Sequence, residues 1–222
     1  MSSARLRRAV LQTVRWLVDH RLYSGTSGNV SCRAPNGFLI TPSGVPCEDL
    51  LAADMVEVAL DGRARGRLRP SSEWRLHLDI YLRRPEVDAV VHTHSAFATA
   101  LSCLRRAVPA FHYMVAKTGG AQLRCARYAT YGTAALSKNA LAALAGRRAC
   151  LLANHGLVAV GADLGTTRLL AEEVEALSMQ YFIARSLGAP VLLSAREMAA
   201  VATKFASYGQ KPGLRAGRNT AP

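Results

Sequence analysis

Apolar and polar positions recur along this chain with two periods. Over Ser3–His20, Val10, Val14, Leu17 and Val18 fall on one stripe, the roughly 3.6-residue period of an amphipathic helix. The same reading predicts helices from Ser71/Ser72 to about Arg83 (stopped before Pro85), over Ser95–Leu104, Thr133–Ala145, Leu164–Leu187 and Ser194–Phe205. Short apolar runs bounded by turn residues read as strands: Val30–Arg33 with its hairpin partner Gly37–Thr41, Met55–Val58 with Arg63–Arg67 as an edge, Asp88–His92, Ala149–Ala153 and Leu157–Val160. Loops at Gly25–Asn29 and Pro42–Pro46 separate them, and the stretch Tyr113–Val115 precedes a Gly119-Gly120 turn. Hairpins with intervening helices, without repeat or interior linker, predict a single three-layer α/β domain over residues 1–208. Its central sheet is mostly antiparallel, with helices on both faces. A length of 222 residues suits one well-buried domain and is short for two. The basic tail 209–222 is expected to be flexible.

The pattern is broken where polar residues close apolar runs. His92-Thr93-His94 ends the run Asp88–Val91, and His155 ends Leu151–Asn154. Residues two apart in a strand project to one face, so His92 and His94 present both imidazoles to one point, where His155 arrives from another strand. Three neutral imidazoles with an open position describe a catalytic divalent metal, Zn2+ first. The competing account makes one histidine a surface residue and another a satisfied core group.

Glu73 sits at the first turn of its predicted helix, where capping and the helix dipole explain a carboxylate equally well. Beside a metal-polarised carbonyl it has a second use, removing the acidified C–H proton to leave an enediolate. Ser71 and Ser72, with free amides at a helix start, form a phosphate cradle, to which Gly28-Asn29 and Ser43-Gly44 add small polar loops. Tyr113, in Phe111-His112-Tyr113-Met114, is either a packed aromatic or a proton donor to an oxyanion. His20, His77 and His112 read as structural or surface residues.

A formal charge of +13 raises the question of nucleic acid, but the cations are spread and no DNA- or RNA-binding motif accompanies them. A basic surface also draws in an anionic small substrate. No apolar run approaches the roughly 20 residues that span a bilayer, so the first helix reads as part of a soluble, cytoplasmic protein without membrane or nucleic-acid partners. Five scattered cysteines without a C-x-x-C pair give neither a disulfide framework nor a thiolate metal site.

Taken together, Ser27-Gly28-Asn29-Val30-Ser31, Thr41-Pro42-Ser43-Gly44, Ser71-Ser72-Glu73, His92-Thr93-His94 and Asn154-His155-Gly156 closely resemble the class II aldolase/epimerase family. The likeness runs from Leu6 to Tyr208. Pro109–Met114 and Tyr128–Thr133 look like its aldolase branch rather than its pentulose-phosphate 4-epimerase branch.

The resemblance implies one Zn2+ per subunit held by His92, His94 and His155, with Glu73 as base and ligand before substrate arrives. It implies phosphate binding by Gly28, Asn29, Ser43, Gly44, Ser71 and Ser72, and a proton-donating Tyr113 supplied by a neighbouring subunit of a cyclic homotetramer. Phe205 and Tyr208 look like aromatics enclosing the aldehyde part. The implied reaction is reversible cleavage of an L-fuculose-1-phosphate-like ketose 1-phosphate to dihydroxyacetone phosphate and a short aldehyde. A 4-epimerase, dehydratase or decarboxylase would use the same metal site. A hydrolytic zinc enzyme fits less well, because Ser95-Ala96 follows His94 where such sites commonly continue Asp-His. Two residues depart from the family pattern: Ser43 stands where threonine is common, and Lys117 brings a charge where a small residue is expected.

Overall fold

The computed structural model describes residues 2–206. Its first helix, α1 (Ser3–Asp19), buries Leu6, Val10, Leu11, Val14 and Leu17, the three- and four-residue spacing that lays one stripe against a sheet. The eight strands are β1 (Asn29–Ala34), β2 (Gly37–Ile40), β3 (Val56–Ala59), β4 (Ala64–Arg65), β5 (Ala89–Thr93), β6 (Arg124–Ala126), β7 (Ala149–Leu152) and β8 (Gly156–Gly161). They form one sheet in the order β4-β3-β2-β1-β5-β8-β7-β6, antiparallel throughout except for β6 beside β7. The other helices are α2 (Trp74–Arg83), α3 (Ala96–Ser102), α4 (Ala134–Leu144), α5 (Leu164–Leu187) and α6 (Ala195–Ala206).

Neighbouring strand residues part to opposite faces, which makes the three layers. Val91, Leu151, Leu157 and Ala159 pack with α1, with Ala98 and Leu101 of α3, and with Ala171 and Val174 of α5. Val90, Leu152, Val158 and Val160 pack with Leu76 and Ile80 of α2 and with Leu136, Ala140 and Leu144 of α4. Covered on both sides, β5, β7 and β8 read as continuous apolar runs rather than alternating ones. The predicted α/β architecture is therefore the observed one.

The differences are local. Helix α2 starts at Trp74 because residues 71–73 form a turn, in which the Ser71 amide donates across to the Thr41 carbonyl at 3.0 Å. Tyr113–Thr118 is a 3-10 helix, and the Arg63–Arg67 edge shortens to two residues. Strand β6 is too short and too mixed, Arg-Cys-Ala, to carry a period. The tail 209–222 lies outside the described residues. No described helix is long and apolar enough to cross a membrane.

Candidate active site

Three strand ends meet at the middle of the sheet. Because β1 pairs with β5 and β5 with β8, the start of β1, the end of β5 and the β7–β8 turn lie side by side, with Asn29 opposite His92 in the register. His92 is within β5 and His94 just beyond its end, and the same-face spacing brings their Nε2 atoms to 3.0 Å. His155 comes from the tight turn between β7 and β8 rather than from a strand. Asn154 makes that turn by taking a left-handed φ of 52°, a conformation asparagine tolerates better than most residues. Gly156 follows because a Cβ there would stand 2.4 Å from the Thr93 carbonyl and 3.0 Å from the His94 ring.

Glu73 occupies the residue before α2, yet its side chain makes no capping hydrogen bond. The carboxylate turns inward instead, 5% exposed, with Oε2 at 3.1 Å from His92 Nε2 and Oε1 at 3.5 Å from His155 Nε2. Asn29 Nδ2 donates to Oε2 at 3.0 Å, while Oε1 is buried without any hydrogen-bond partner. The ligand atoms of Glu73, His92, His94 and His155 all lie within 4.8 Å of one another.

The electrostatics follow from this packing. Burial pulls the Glu73 carboxyl upward, but the His92 and His155 rings and the bonds from His92 and Asn29 outweigh it and hold the carboxyl well below the usual carboxylate range. Burial likewise lowers His92, and the facing Glu73 charge more than offsets it, so His92 is raised. Burial and the neighbouring rings push His94 and His155 down to about 4, leaving neutral imidazoles with lone pairs.

The donor set fits a divalent cation. Ligands on a tetrahedron with metal–nitrogen arms of about 2.0–2.1 Å stand roughly 3.3–3.4 Å apart. The His92–His94 separation of 3.0 Å and the 3.1 and 3.5 Å from the two Glu73 oxygens to His92 and His155 are close to that value, although the whole set extends to 4.8 Å, and Glu73 Oε1 is buried without a hydrogen-bond partner.

A cleft of about 330 Å³ opens onto the cluster. Glu73, His94 and His155 line it together with all six predicted phosphate residues, Gly28, Asn29, Ser43, Gly44, Ser71 and Ser72. Gly28 has φ +107°, and a Cβ there would meet the His92 carbonyl oxygen at 2.7 Å, so this loop must be bare to pass the metal-side strand. One expectation needs correcting. The Ser71 amide is not free, nor is that of Ser43, which donates to the Arg69 carbonyl at 3.0 Å. These bonds tie the two loops into one floor, and Ser71 Oγ in turn accepts from the Glu73 amide at 3.3 Å.

Tyr113 is half-exposed in the 3-10 helix, beside His112 and Phe205, and is not among the residues lining its own chain's cleft. Lys117 is paired with Glu173 at 2.9 Å. Tyr208 lies outside the described residues. Sequence reasoning assigned no role to Thr26, Tyr128, Tyr131 or Asn154, which also line the cleft. The aromatic pair flanking Ala129-Thr130 was the available signal. His77, read as structural or surface, is fully buried behind Glu73 and bonded to Asn29.

Comparison with known proteins gives concordant matches. The family described as Class II Aldolase and Adducin N-terminal domain matches residues 8–182. A 5-methylthioribulose-1-phosphate/5-deoxyribulose-1-phosphate aldolase of Rhodospirillum rubrum is 49% identical over 209 residues, 94% of this chain and 95% of that protein. An L-fuculose phosphate aldolase of Escherichia coli K12 is 42% identical over 210 residues, 94% of this chain and 98% of that protein. Among solved structures, an L-fuculose 1-phosphate aldolase superposes with a TM-score of 0.89 at 40% identity, covering 93% of this chain and 98% of that one.

Proposed function

Because the chain belongs to the class II aldolase and adducin N-terminal domain family and is an enzyme of the lyase class, we propose that it reversibly cleaves a ketose 1-phosphate to dihydroxyacetone phosphate and a short aldehyde. The observation that carries this reading is the convergence of a buried carboxylate and three imidazoles on a cleft floored by serine and glycine loops.

Glu73, His92, His94 and His155 would hold one metal ion per subunit, Zn2+ in this reading. When bound it supplies the positive charge that polarises the substrate carbonyl and stabilises the anion left by carbon–carbon cleavage. Gly28, Asn29, Ser43, Gly44, Ser71 and Ser72 hold the phosphate, fixing the substrate's distance from Glu73. The C4 hydroxyl loses its proton as the C3–C4 bond breaks, and the bonding pair passes into an enediolate. In the condensation direction the Glu73 carboxylate takes the C3 proton and then loses it to solvent; in cleavage it takes a proton from solvent and passes that proton to C3 of the enediolate. Tyr113 exchanges the proton of the C4 oxygen, which is the aldehyde oxygen in condensation. Its position away from its own cleft supports donation from a neighbouring copy in a cyclic homotetramer. No lysine is among the described residues lining the cleft, consistent with a route that needs no Schiff base. We place the enzyme in the cytoplasm, its five cysteines being free thiols.

The substrates named for the relatives differ beyond C4, so cleavage releases different aldehydes: lactaldehyde from L-fuculose 1-phosphate, acetaldehyde from 5-deoxyribulose 1-phosphate, and methylthioacetaldehyde from the methylthio sugar. The test incubates zinc-loaded protein with dihydroxyacetone phosphate and each of these aldehydes, plus glycolaldehyde, and identifies the products. Carbon–carbon bond formation that a chelator abolishes and borohydride treatment with substrate does not is the expected result. No product with any aldehyde overturns the assignment.

A further inference from the structure

Behind the cluster a line of polar side chains runs into the core. Glu73, His77 and Tyr81 recur every four residues from the start of α2, and Asn29 and Ser31 every two along β1, so two polar stripes face each other. Asn29 Nδ2 is 3.0 Å from Glu73 Oε2, Asn29 Oδ1 is 2.5 Å from His77 Nε2, His77 Nδ1 is 2.6 Å from Ser31 Oγ, and Ser31 Oγ is 2.7 Å from the Tyr81 hydroxyl. His77 and Ser31 are wholly inaccessible, and Asn29 and Tyr81 are each 2% exposed.

The donor direction is forced at each link. An ionised carboxylate only accepts, so Asn29 turns its NH2 to Glu73 and its carbonyl oxygen to His77. His77 must then carry its proton on Nε2, which leaves Nδ1 to accept from Ser31, and Ser31 in turn accepts from Tyr81. Burial pushes His77 down to about 3, so the neutral ring this pattern requires is also the favoured one.

We propose that His77 is a positioning residue: by donating to Asn29 Oδ1 it prevents the amide from flipping, and so holds Glu73 Oε2 beside His92 with Oε1 toward His155. A flipped Asn29 would set its oxygen against the carboxylate and its NH2 against the His77 N–H. This inference rests on the reading of Glu73 as metal ligand and base, and assigns the residue that keeps it in place.

The test uses His77→Phe, which keeps the ring but removes both nitrogens, His77→Gln, which keeps a donor, and Ser31→Ala, which removes the donor to Nδ1. Each is loaded with cobalt(II) and examined by visible absorption and by competition with a chromogenic chelator, without substrate. We expect an altered cobalt spectrum and a metal dissociation constant raised roughly ten-fold in His77→Phe, the low end for outer-shell partners. His77→Gln is expected to restore most of the loss, and Ser31→Ala to give a smaller change in the same direction. In kinetics kcat falls while KM for dihydroxyacetone phosphate stays near the parent value. A parent-like spectrum and affinity in folded His77→Phe overturn the proposal, and if that variant does not fold, a parent-like Ser31→Ala does so. If the parent joins no aldehyde yet its cobalt spectrum responds to these substitutions, the aldolase reading fails and the positioning role stands.

Discussion

His92 Nδ1 donates to the Leu157 carbonyl oxygen at 2.7 Å, across the β5–β8 pair. A carbonyl only accepts, so this bond assigns the Nδ1 proton and turns Nε2 toward Glu73 and His94. Nε2 is thereby aimed into the cluster, where its lone pair can serve a metal ion.

Metal binding is therefore expected to stabilise the fold. At free metal about 1,000-fold above its dissociation constant the gain is about 4 kcal/mol, which at 2–4 °C per kcal/mol for a domain of this size raises Tm by roughly 8–16 °C. Thermal scans of the zinc-loaded chain with and without chelator measure it. An unchanged Tm, with no metal recovered from the dialysed protein, would dissociate the cluster from metal binding.

Glu73→Gln keeps the side chain's shape and an oxygen for Asn29, but removes the charge and the proton acceptor. Its kcat is expected to fall by at least about 100-fold, the scale of a lost general base. The three histidines remain, so bound metal persists at reduced affinity. Steady-state kinetics with metal quantified in the same samples decides it: a variant within a few-fold of the parent removes Glu73 from the proton transfer.

The layering was legible because strands covered on both faces announce themselves as apolar runs, and the three histidines because polar groups closing such runs need a reason; Glu73, read from the residues alone, was equally well a helix-start carboxylate. What escaped reading was of other kinds. Asn29, Ser31 and His77 form a relay only once β1 and α2 are laid against each other, a pairing between residues far apart in sequence. The Ser71 amide looked free because helix α2 was expected to begin there, whereas a bridge to Thr41 delays it to Trp74. Tyr113 reads in sequence only as an aromatic, and its place on a neighbouring subunit came from the family resemblance, with which its absence from its own chain's cleft lining is consistent.

The segment carrying His94 is held from α5. Glu175 accepts from Ser95 Oγ at 2.7 Å and from the Phe97 and Ala98 amides at 2.8 Å, placing a carboxylate on the amides at the start of α3. Glu175→Gln sets an NH2 against at least one of these donors and is expected to cost about 2 kcal/mol. For a domain of this size that lowers Tm by roughly 4–8 °C. Because the loosened segment begins next to His94, metal affinity is expected to fall as well. Calorimetry and a chelator competition report the two effects separately, and a loss of stability without any loss of affinity would confine Glu175 to capping.

Tyr113 does not line its own chain's cleft, and in the proposed mechanism another copy brings it to the cluster. Tyr113→Phe keeps the packing against His112 and Phe205 and removes the hydroxyl, while Glu73→Gln removes the base from the same chain's cleft. Each variant alone carries its defect in every site. When the two are unfolded together and reassembled at equal amounts, a site built from two chains pairs an intact Glu73 with an intact Tyr113 in about a quarter of cases, given cyclic symmetry and random mixing. Activity well above the average of the two separate variants, rising toward a quarter of the parent's, is the expected outcome. A mixture that only averages the separate activities, with mixed assembly verified by mass, means that no site draws on two chains, and Tyr113 loses its role as the proton donor.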